Sequence, residues 1–152
     1  MTPEALWFLD TLVQIRVSHR DSADRISVLE HRAPEGDSPP LHVHHTEDEV
    51  FHVLEGTLRL RVGHQDHTLG QGEALLAPKG VPHTYRVVSA GEARWLTVTT
   101  GRDFEEFVRA MSRPALRPEL PPPGGPPTPE AAAVLAETAL RYGIEIVGPP
   151  LG

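Results

Sequence analysis

The sequence predicts an all-β fold, a sandwich or barrel of short strands, that is followed by two C-terminal α-helices. Three observations lead to this fold class. Before Gly101, apolar and polar side chains alternate in short runs between turn-forming residues, which is typical of hairpin-linked strands. After Gly101 the apolar spacing changes to that of an amphipathic helix. The 152-residue chain is long enough to bury one core, and it has no cysteine, so neither disulfides nor thiolate ligands are available to it.

The predicted strands follow one another closely along the chain. Alternation predicts strands at 12–17 and 26–32, and the Pro, Gly, Asp and Ser residues of 33–40 predict a turn. Further strands are predicted, with a turn at 63–66, in the ranges 49–55, 57–62, 75–77, 83–88 and 94–99. Strands this short favour sheets that close into a jelly roll around an interior cavity.

The first helix is predicted just after the last of these strands. Phe104, Phe107, Val108 and Met111 recur at i, i+3, i+4 and i+7, which places them on one face of a helix. Acidic residues occupy its first turn, where the helix dipole favours them. Pro114 then ends the helix.

The second helix follows a proline-rich segment at 113–129, which we expect to be a stiff extended strap. Thr128 is a suitable cap, Pro129 suits the first helical position, and Gly143 suits the end. The residues 144–147 that follow are apolar enough to pack against the rest of the protein.

Two parts of the chain are therefore expected. Residues 1–101 form the β-barrel domain, including its N-terminal strands, and residues 102–152 form a helical tail that packs on it. The helices either cover the barrel, close its cavity as a lid, or exchange with a second subunit.

Two spaced motifs carry the chemistry of the chain. The first reads G-x5-H-x-H-x4-E-x6-G and comprises Gly36, His42, His44, Glu49 and Gly56. The second reads G-x5-P-x-G-x2-H and comprises Gly72, Pro78, Gly80 and His83. Alternate side chains of a strand share a face, so His42 and His44 point the same way.

Together these motifs resemble the two signature motifs of the cupin superfamily, over roughly residues 26–100. The resemblance implies a cupin jelly-roll β-barrel that holds one divalent metal with three histidines and one glutamate. The implied ligands are His42, His44, Glu49 and His83.

The choice of the acidic ligand depends on spacing. Glu47, Asp48 and Glu49 are consecutive, and a bend after His44 prevents strand alternation from deciding among them. Glu49 has the spacing ahead of Gly56 that the cupin motif requires, whereas Asp48 fits only a variant spacing behind His44. We take Glu49 as the ligand and Asp48 as the alternative.

Three imidazoles and one carboxylate suit a divalent transition metal, namely Fe, Mn, Ni, Co, Cu or Zn, and not Ca or Mg, which prefer oxygen ligands. On an ion that accepts five or six ligands, positions remain for a substrate or dioxygen. This donor set therefore predicts a working site.

The expected chemistry is metal-assisted proton removal, with Glu49 as the catalytic base. Among cupins, the single domain with a helical tail that begins D-F-E-E-F resembles the quercetinase-like small monocupins. The resemblance implies a metal-dependent dioxygenase of a planar phenolic or enolic molecule. A metal-dependent isomerase, lyase or hydrolase, and a binding protein without turnover, are the alternatives because one fold hosts many functions.

The expected ligand is apolar or aromatic. The second cupin motif commonly ends H-x3-N, and here Val87 replaces the asparagine. Strand alternation places Tyr85 and Val87 on the face of His83, and Phe51 on the face of Glu49. We therefore predict Phe51, Tyr85 and Val87 as substrate-binding residues, with Trp95 as a further stacking surface.

Solvent exposure is expected for four other histidines: His19, His31, His64 and His67.

Charge and termini limit the partners. The net charge of -7, from 14 basic and 21 acidic residues, disfavours nucleic acid. The first ten residues have neither a basic start nor a long apolar run, so we expect a cytoplasmic protein without a membrane span. Apolar residues at 6–9 need cover, and jelly-roll edges invite strand pairing, so we expect a homodimer.

Overall fold

The computed structural model describes residues 4–152, so the first three residues of the predicted 1–101 domain lie outside the described part. Up to residue 101 the strands are β1 Glu4–Phe8, β2 Thr11–Val17, β3 Ser27–Pro34, β4 Pro40–His44, β5 Glu49–Glu55, β6 Leu58–Val62, β7 Gln65–Leu69, β8 Ala74–Ala77, β9 His83–Val87 and β10 Glu92–Thr99. The tail comprises α1 Asp103–Met111, β11 Arg113–Pro114, α2 Pro129–Arg141 and β12 Ile144–Pro150. A short 3-10 helix at His19–Asp21 connects β2 to β3.

The strands of the described residues form two antiparallel sheets. One has seven strands in the order β11-β1-β2-β3-β10-β5-β8, and the other has five in the order β12-β4-β9-β6-β7. The mostly β architecture with two helices agrees with the predicted fold class. The sheets do not close into a barrel, so the molecule is a two-sheet sandwich, which is consistent with a jelly roll.

Two apolar clusters hold the sandwich together. The first lies between the sheets and includes Phe51, Leu58 and Trp95, which come from both of them. The second lies under the tail, where Phe104 and Phe107 of α1 pack against β1, β2 and β3. The apolar face that the spacing predicts for α1 is therefore buried, and it packs the tail against the seven-stranded sheet.

The N-terminal strand is covered by its own chain. Leu6 and Trp7 are buried, and β1 pairs with β2 on one side and with β11 on the other. The indole Nε1 of Trp7 donates a hydrogen bond to the carbonyl of Glu119 at 2.8 Å, and the Arg113 guanidinium lies 5.2 Å from the ring centre. The proline-rich segment supplies this cover, so burial of Trp7 does not require a second copy.

The two helices begin in different ways. Thr128 accepts a hydrogen bond from the amide of Ala131 and precedes Pro129, as the sequence predicts. Residue 102 provides no side-chain cap for α1; instead, the buried carboxylate of Glu47 accepts a hydrogen bond from the Phe104 amide at 2.6 Å. The loop that leads to the acidic motif residue therefore also anchors the tail.

Several strands lie outside the predicted ranges, among them β7 and β12. Strand β7 begins at Gln65, within the residues expected to form a turn, because the hairpin closes on Gly63 and His64 alone. Strand β12 pairs with β4, the strand that carries the first two motif histidines. Its residues Ile144 and Ile146 are opposite His44 and His42, so the C-terminal segment forms part of the wall around the site.

Candidate metal centre

Three strands bring the four motif residues together. His42 and His44 lie on β4, and His83 begins β9, where it is the cross-strand partner of His42. Glu49 begins β5, which belongs to the other sheet. The cluster therefore lies between the two sheets, at the ends of the strands that carry it.

The donor atoms of the four residues converge. One ligand atom of each lies within 4.8 Å of those of the other three. Glu49 Oε2 lies 3.1 Å from His83 Nε2 and 3.2 Å from His44 Nε2. The ring centres of His42 and His83 are 4.5 Å apart, and each lies 5.1 Å from that of His44.

The hydrogen bonds of the imidazoles fit a cation. His42 Nδ1 donates to the carbonyl of Pro40 at 2.7 Å, which leaves the lone pair of Nε2 free for a metal. Both ring nitrogens of His44 and Nδ1 of His83 are buried without a hydrogen-bond partner. Buried polar atoms without partners are rare in proteins, and an ion bound where the Nε2 atoms converge would give His44 Nε2 a partner.

The electrostatics also suit a metal ligand set. Burial lowers the pKa of His42 to about 3 and that of His44 to about 4, so both imidazoles are neutral near pH 7. For Glu49, burial raises the pKa, but His44 and His83 outweigh burial and lower it to about 2. A neutral imidazole and an ionised carboxylate are the forms that bind metals.

The neighbouring acids have other roles. Asp48 Oδ1 accepts a hydrogen bond from the Lys79 amide at 2.8 Å, on the outside of the cluster. Glu47 is buried but binds the amide of Phe104. Of the three consecutive acids, only Glu49 belongs to the cluster, as its spacing from Gly56 predicts.

Gly56, the last residue of the first motif, has a structural role. Its φ of +82° is in the left-handed region, and a Cβ here would lie 2.9 Å from the backbone of Ala93. Only glycine lets β5 turn into β6 so close to β10.

An apolar cavity opens beside the cluster. Phe51 and Tyr85 line it, together with Trp95, and two residues of α1, Phe104 and Phe107, complete one wall. Its volume is about 80 Å³, several times what one water molecule requires. The cavity also reaches α2 and β12, through Leu135, Ala139, Ile144 and Ile146.

The three predicted substrate-binding residues differ in position. Phe51 and Tyr85 line the cavity, whereas Val87 does not. Val87 is on the expected face of β9 but lies deeper in the sandwich, where it belongs to the core around Leu58 and Trp95. The Tyr85 ring at the cavity wall packs 4.9 Å from that of Trp95, and its hydroxyl donates to Asp37 at 2.9 Å.

His31 is one of the cavity residues that the sequence did not predict. The expectation of solvent exposure is wrong for it, because it is 5% exposed and lines the cavity. The signal was present in β3, where His31 shares a face with Leu29 and Ala33, and both of these are buried. His64 is exposed as expected, whereas His19 and His67 are half-buried.

A second group of potential ligands has a different explanation. His19, Glu105 and Glu106 also lie close together. The buried Glu105 carboxylate already accepts hydrogen bonds from Ser18, Ser27 and Arg109, and from the His19 amide. Because its oxygens are satisfied, this group locks the 3-10 helix to α1 and needs no metal.

Comparisons with known proteins agree with the motifs. Residues 28–99 match the family described as Cupin domain. The chain is 28% identical over 108 residues to quercetin 2,3-dioxygenase of Bacillus subtilis (strain 168), an alignment that covers 71% of this chain and 32% of that protein. The chain thus spans about a third of the length of this relative.

Solved structures are similar as well. TT1209 of Thermus thermophilus is 33% identical, with a TM-score of 0.50 over 58% of this chain and 84% of that one. The polyketide cyclase RemF of Streptomyces resistomycificus is 31% identical, with a TM-score of 0.51 over 64% of this chain and 68% of that one. No helix of residues 4–152 is both long and apolar enough to cross a membrane. The matched domain, the two-sheet fold and the His/Glu cluster that can hold a metal show that the chain belongs to the cupin family, as a small cupin.

Proposed function

We propose that this cupin is a metal-dependent dioxygenase of a planar phenolic or enolic small molecule. The observation that carries the proposal is the position of the His42, His44, Glu49 and His83 cluster at the wall of an apolar, aromatic-lined cavity. The similarity to a quercetin 2,3-dioxygenase supports the same chemistry.

Glu49 is the proposed proton acceptor. In the absence of a metal its Oε2 is paired with the Nε2 atoms of His44 and His83. When a metal holds these nitrogens, a carboxylate oxygen of Glu49 that is released from the metal is free to accept a proton. A phenolic or enolic hydroxyl beside Oε2 can therefore transfer its proton to Glu49.

A transition metal held by the four residues supplies Lewis acidity that favours the ionised form of that hydroxyl, and open positions for reactants. The protein itself contributes a cavity that excludes water and limits the shape of the ligand. Phe51, Phe104 and Phe107 present apolar surface that excludes water and suits a planar ring.

The test is oxygen consumption by metal-loaded protein with quercetin as the probe. Glu49→Gln should abolish turnover, because an amide cannot accept a proton near neutral pH. Asp48→Asn is the matched control, since its carboxylate binds the Lys79 amide outside the cluster and the variant should retain activity. Full activity of Glu49→Gln would assign the base to another group, and no oxygen uptake by the unaltered protein would refute the proposal for this substrate.

A second candidate is a metal-dependent cyclase or lyase without oxygen consumption. The similarity to the polyketide cyclase RemF favours it, at 31% identity. Product formation from a phenolic or enolic substrate under anaerobic conditions would identify this activity, whereas binding without product in either atmosphere would indicate a binding protein.

A further inference from the structure

His31 occupies a defined position on the cavity wall. Its ring stacks on Trp95, with centres 5.3 Å apart and planes 6° from parallel, and its other side faces Phe104 at 6.0 Å. Two aromatic rings therefore hold the imidazole in one orientation before any ligand enters. A side chain held in this way loses little conformational entropy on binding.

One ring nitrogen of His31 is already engaged and the other is not. Nε2 lies 3.0 Å from Thr97 Oγ1. Among the described residues Nδ1 has no hydrogen-bond partner. Burial lowers the pKa of His31 to about 4, so the ring is neutral near pH 7, and Nδ1 can donate or accept according to the tautomer that Thr97 selects.

The other polar groups of the cavity wall, apart from the metal cluster, are engaged or out of reach. Thr11 Oγ1 donates to the carbonyl of Phe8 at 2.7 Å, and the Tyr85 hydroxyl donates to Asp37. The indole Nε1 of Trp95 has no partner, but this atom is buried, so a ligand in the cavity does not reach it. The wall therefore offers His31 as the group that can still bind a polar atom of a ligand.

The Phe104 ring lies near both His31 and the metal cluster. The centre of the Phe104 ring is 6.0 Å from that of His31 and 5.5 Å from that of His44. A planar molecule that lies along Phe104 can therefore present one oxygen to each of the two polar positions.

We propose that His31 is a ligand-binding and specificity-determining residue, which hydrogen-bonds a second oxygen substituent of a planar ligand whose first oxygen lies at the metal cluster. The ligand class is then narrower than phenols and enols in general. It comprises planar enols or phenols with a further hydroxyl or carbonyl group across the ring. This inference rests on the proposed site, but not on dioxygenase turnover.

The experiment compares two hydroxypyranones that differ by one hydroxyl group. Kojic acid carries a hydroxymethyl group where allomaltol carries a methyl group, and both can present an enolic oxygen to a metal. Calorimetry with zinc-loaded, full-length protein measures both affinities. His31→Phe, which keeps an aromatic ring between Trp95 and Phe104, should weaken kojic acid binding by about tenfold, the value of one hydrogen bond, and leave allomaltol within about twofold.

A matched control is His52→Phe, on β5 but outside the cavity lining, which should change neither affinity. Equal losses for both compounds in His31→Phe would show a merely structural histidine and overturn the inference, as would no loss for either. No binding of either compound to the unaltered protein would overturn it too. These results are independent of oxygen uptake with quercetin, so failure of the dioxygenase proposal is recognised separately.

A second measurement keeps the inference testable if His31→Phe does not fold. In unaltered zinc-loaded protein with 15N-labelled histidine, kojic acid should shift the ring nitrogen resonances of a histidine that does not bind zinc, and allomaltol should not. Identical spectra with the two compounds would contradict a contact between His31 and the extra hydroxyl group.

Discussion

His44 shows at the scale of one residue why the cluster suits a cation. Its side chain is 2% exposed, and neither ring nitrogen has a hydrogen-bond partner. An unsatisfied buried polar group costs about 1–3 kcal/mol, which packing against Phe104 does not restore. Beside it, Glu49 is also 2% exposed. A metal ion would satisfy both groups with one set of bonds.

We predict that the purified protein contains close to one transition metal ion per chain, and that His44→Ala loses most of it. One of four donors is removed, but His44 belongs to neither apolar cluster, so the variant should stay folded. The adjacent His45→Ala is the control, because that side chain is exposed and pairs with Glu145. Elemental analysis and circular dichroism give the two readouts, and an unchanged metal content in His44→Ala would contradict the assignment.

A second prediction at this scale concerns His31 and acid. Burial lowers its pKa from the ordinary 6.5 to about 4 in the folded state, so the unfolded chain binds more protons between these pH values. The stability that depends on neutral His31 is therefore fully present above pH 6.5, and it is lost as the pH decreases toward 4. At pH 5 this histidine alone should cost about 2 kcal/mol.

His31→Phe should therefore lose less stability than the unaltered protein between pH 7 and pH 5. Urea unfolding of metal-free protein at the two pH values measures the difference. An equal loss in both proteins would mean that His31 remains neutral in the unfolded state or is charged in the folded one, and the stated burial effect would be wrong.

The residues that could be predicted from the sequence are those with local signals. His42 and His44 are two positions apart on one strand, and motif spacing brings Glu49 and His83 to the same place. His31 has no such motif, although its position between buried Leu29 and Ala33 indicates an inward side chain. The position of Val87 in the core could not be predicted, because strand alternation gives the face on which a side chain lies but not whether the cavity extends to it.

At the scale of elements, β12 connects the tail to the site. The strand lies beside β4, where Ile144 is opposite His44 and Ile146 opposite His42. The pairing joins residues that are about a hundred positions apart, so no local pattern predicts it. The apolar character of 144–147 indicates that the segment is buried, but not which strand it pairs with. The pairing of β1 with β11 also joins distant residues, so it cannot be predicted from a local pattern either.

We predict that Ile144→Ala lowers the free energy of unfolding by about 2–4 kcal/mol and weakens metal binding. Ile144 is 4% exposed and lies in the cluster beneath the helices, so the smaller side chain leaves a cavity beside His44. Val147→Ala on the same strand is the control, because Val147 is 45% exposed and should change stability by less than about 0.5 kcal/mol. Thermal and urea unfolding compare the two; equal effects would show that β12 does not pack as described.

At the scale of the whole molecule, a sheet edge is a better candidate for a dimer contact than the N-terminus. Residues near the N-terminus do not need a second copy, because Trp7 is covered by the proline-rich segment. The unpaired edges of the two sheets are the remaining reason to expect a dimer. Of the four edge strands, β11 and β12 contain prolines, and β7 reads Q-D-H-T-L, which is polar. Strand β8 reads A-L-L-A, and it has neither proline nor charge to prevent pairing with another chain.

We predict a homodimer in which β8 of each copy pairs across a two-fold axis. Leu76 on this strand is 48% exposed, and a second seven-stranded sheet would cover it. Light scattering at micromolar concentration should give twice the 16.6 kDa chain mass, and Leu76→Lys should shift it toward the monomer because edge lysines oppose strand pairing. Leu140→Lys, on the exposed face of α2, should leave the dimer intact. A monomer of the unaltered protein would refute the dimer, and a dimeric Leu76→Lys would place its interface elsewhere.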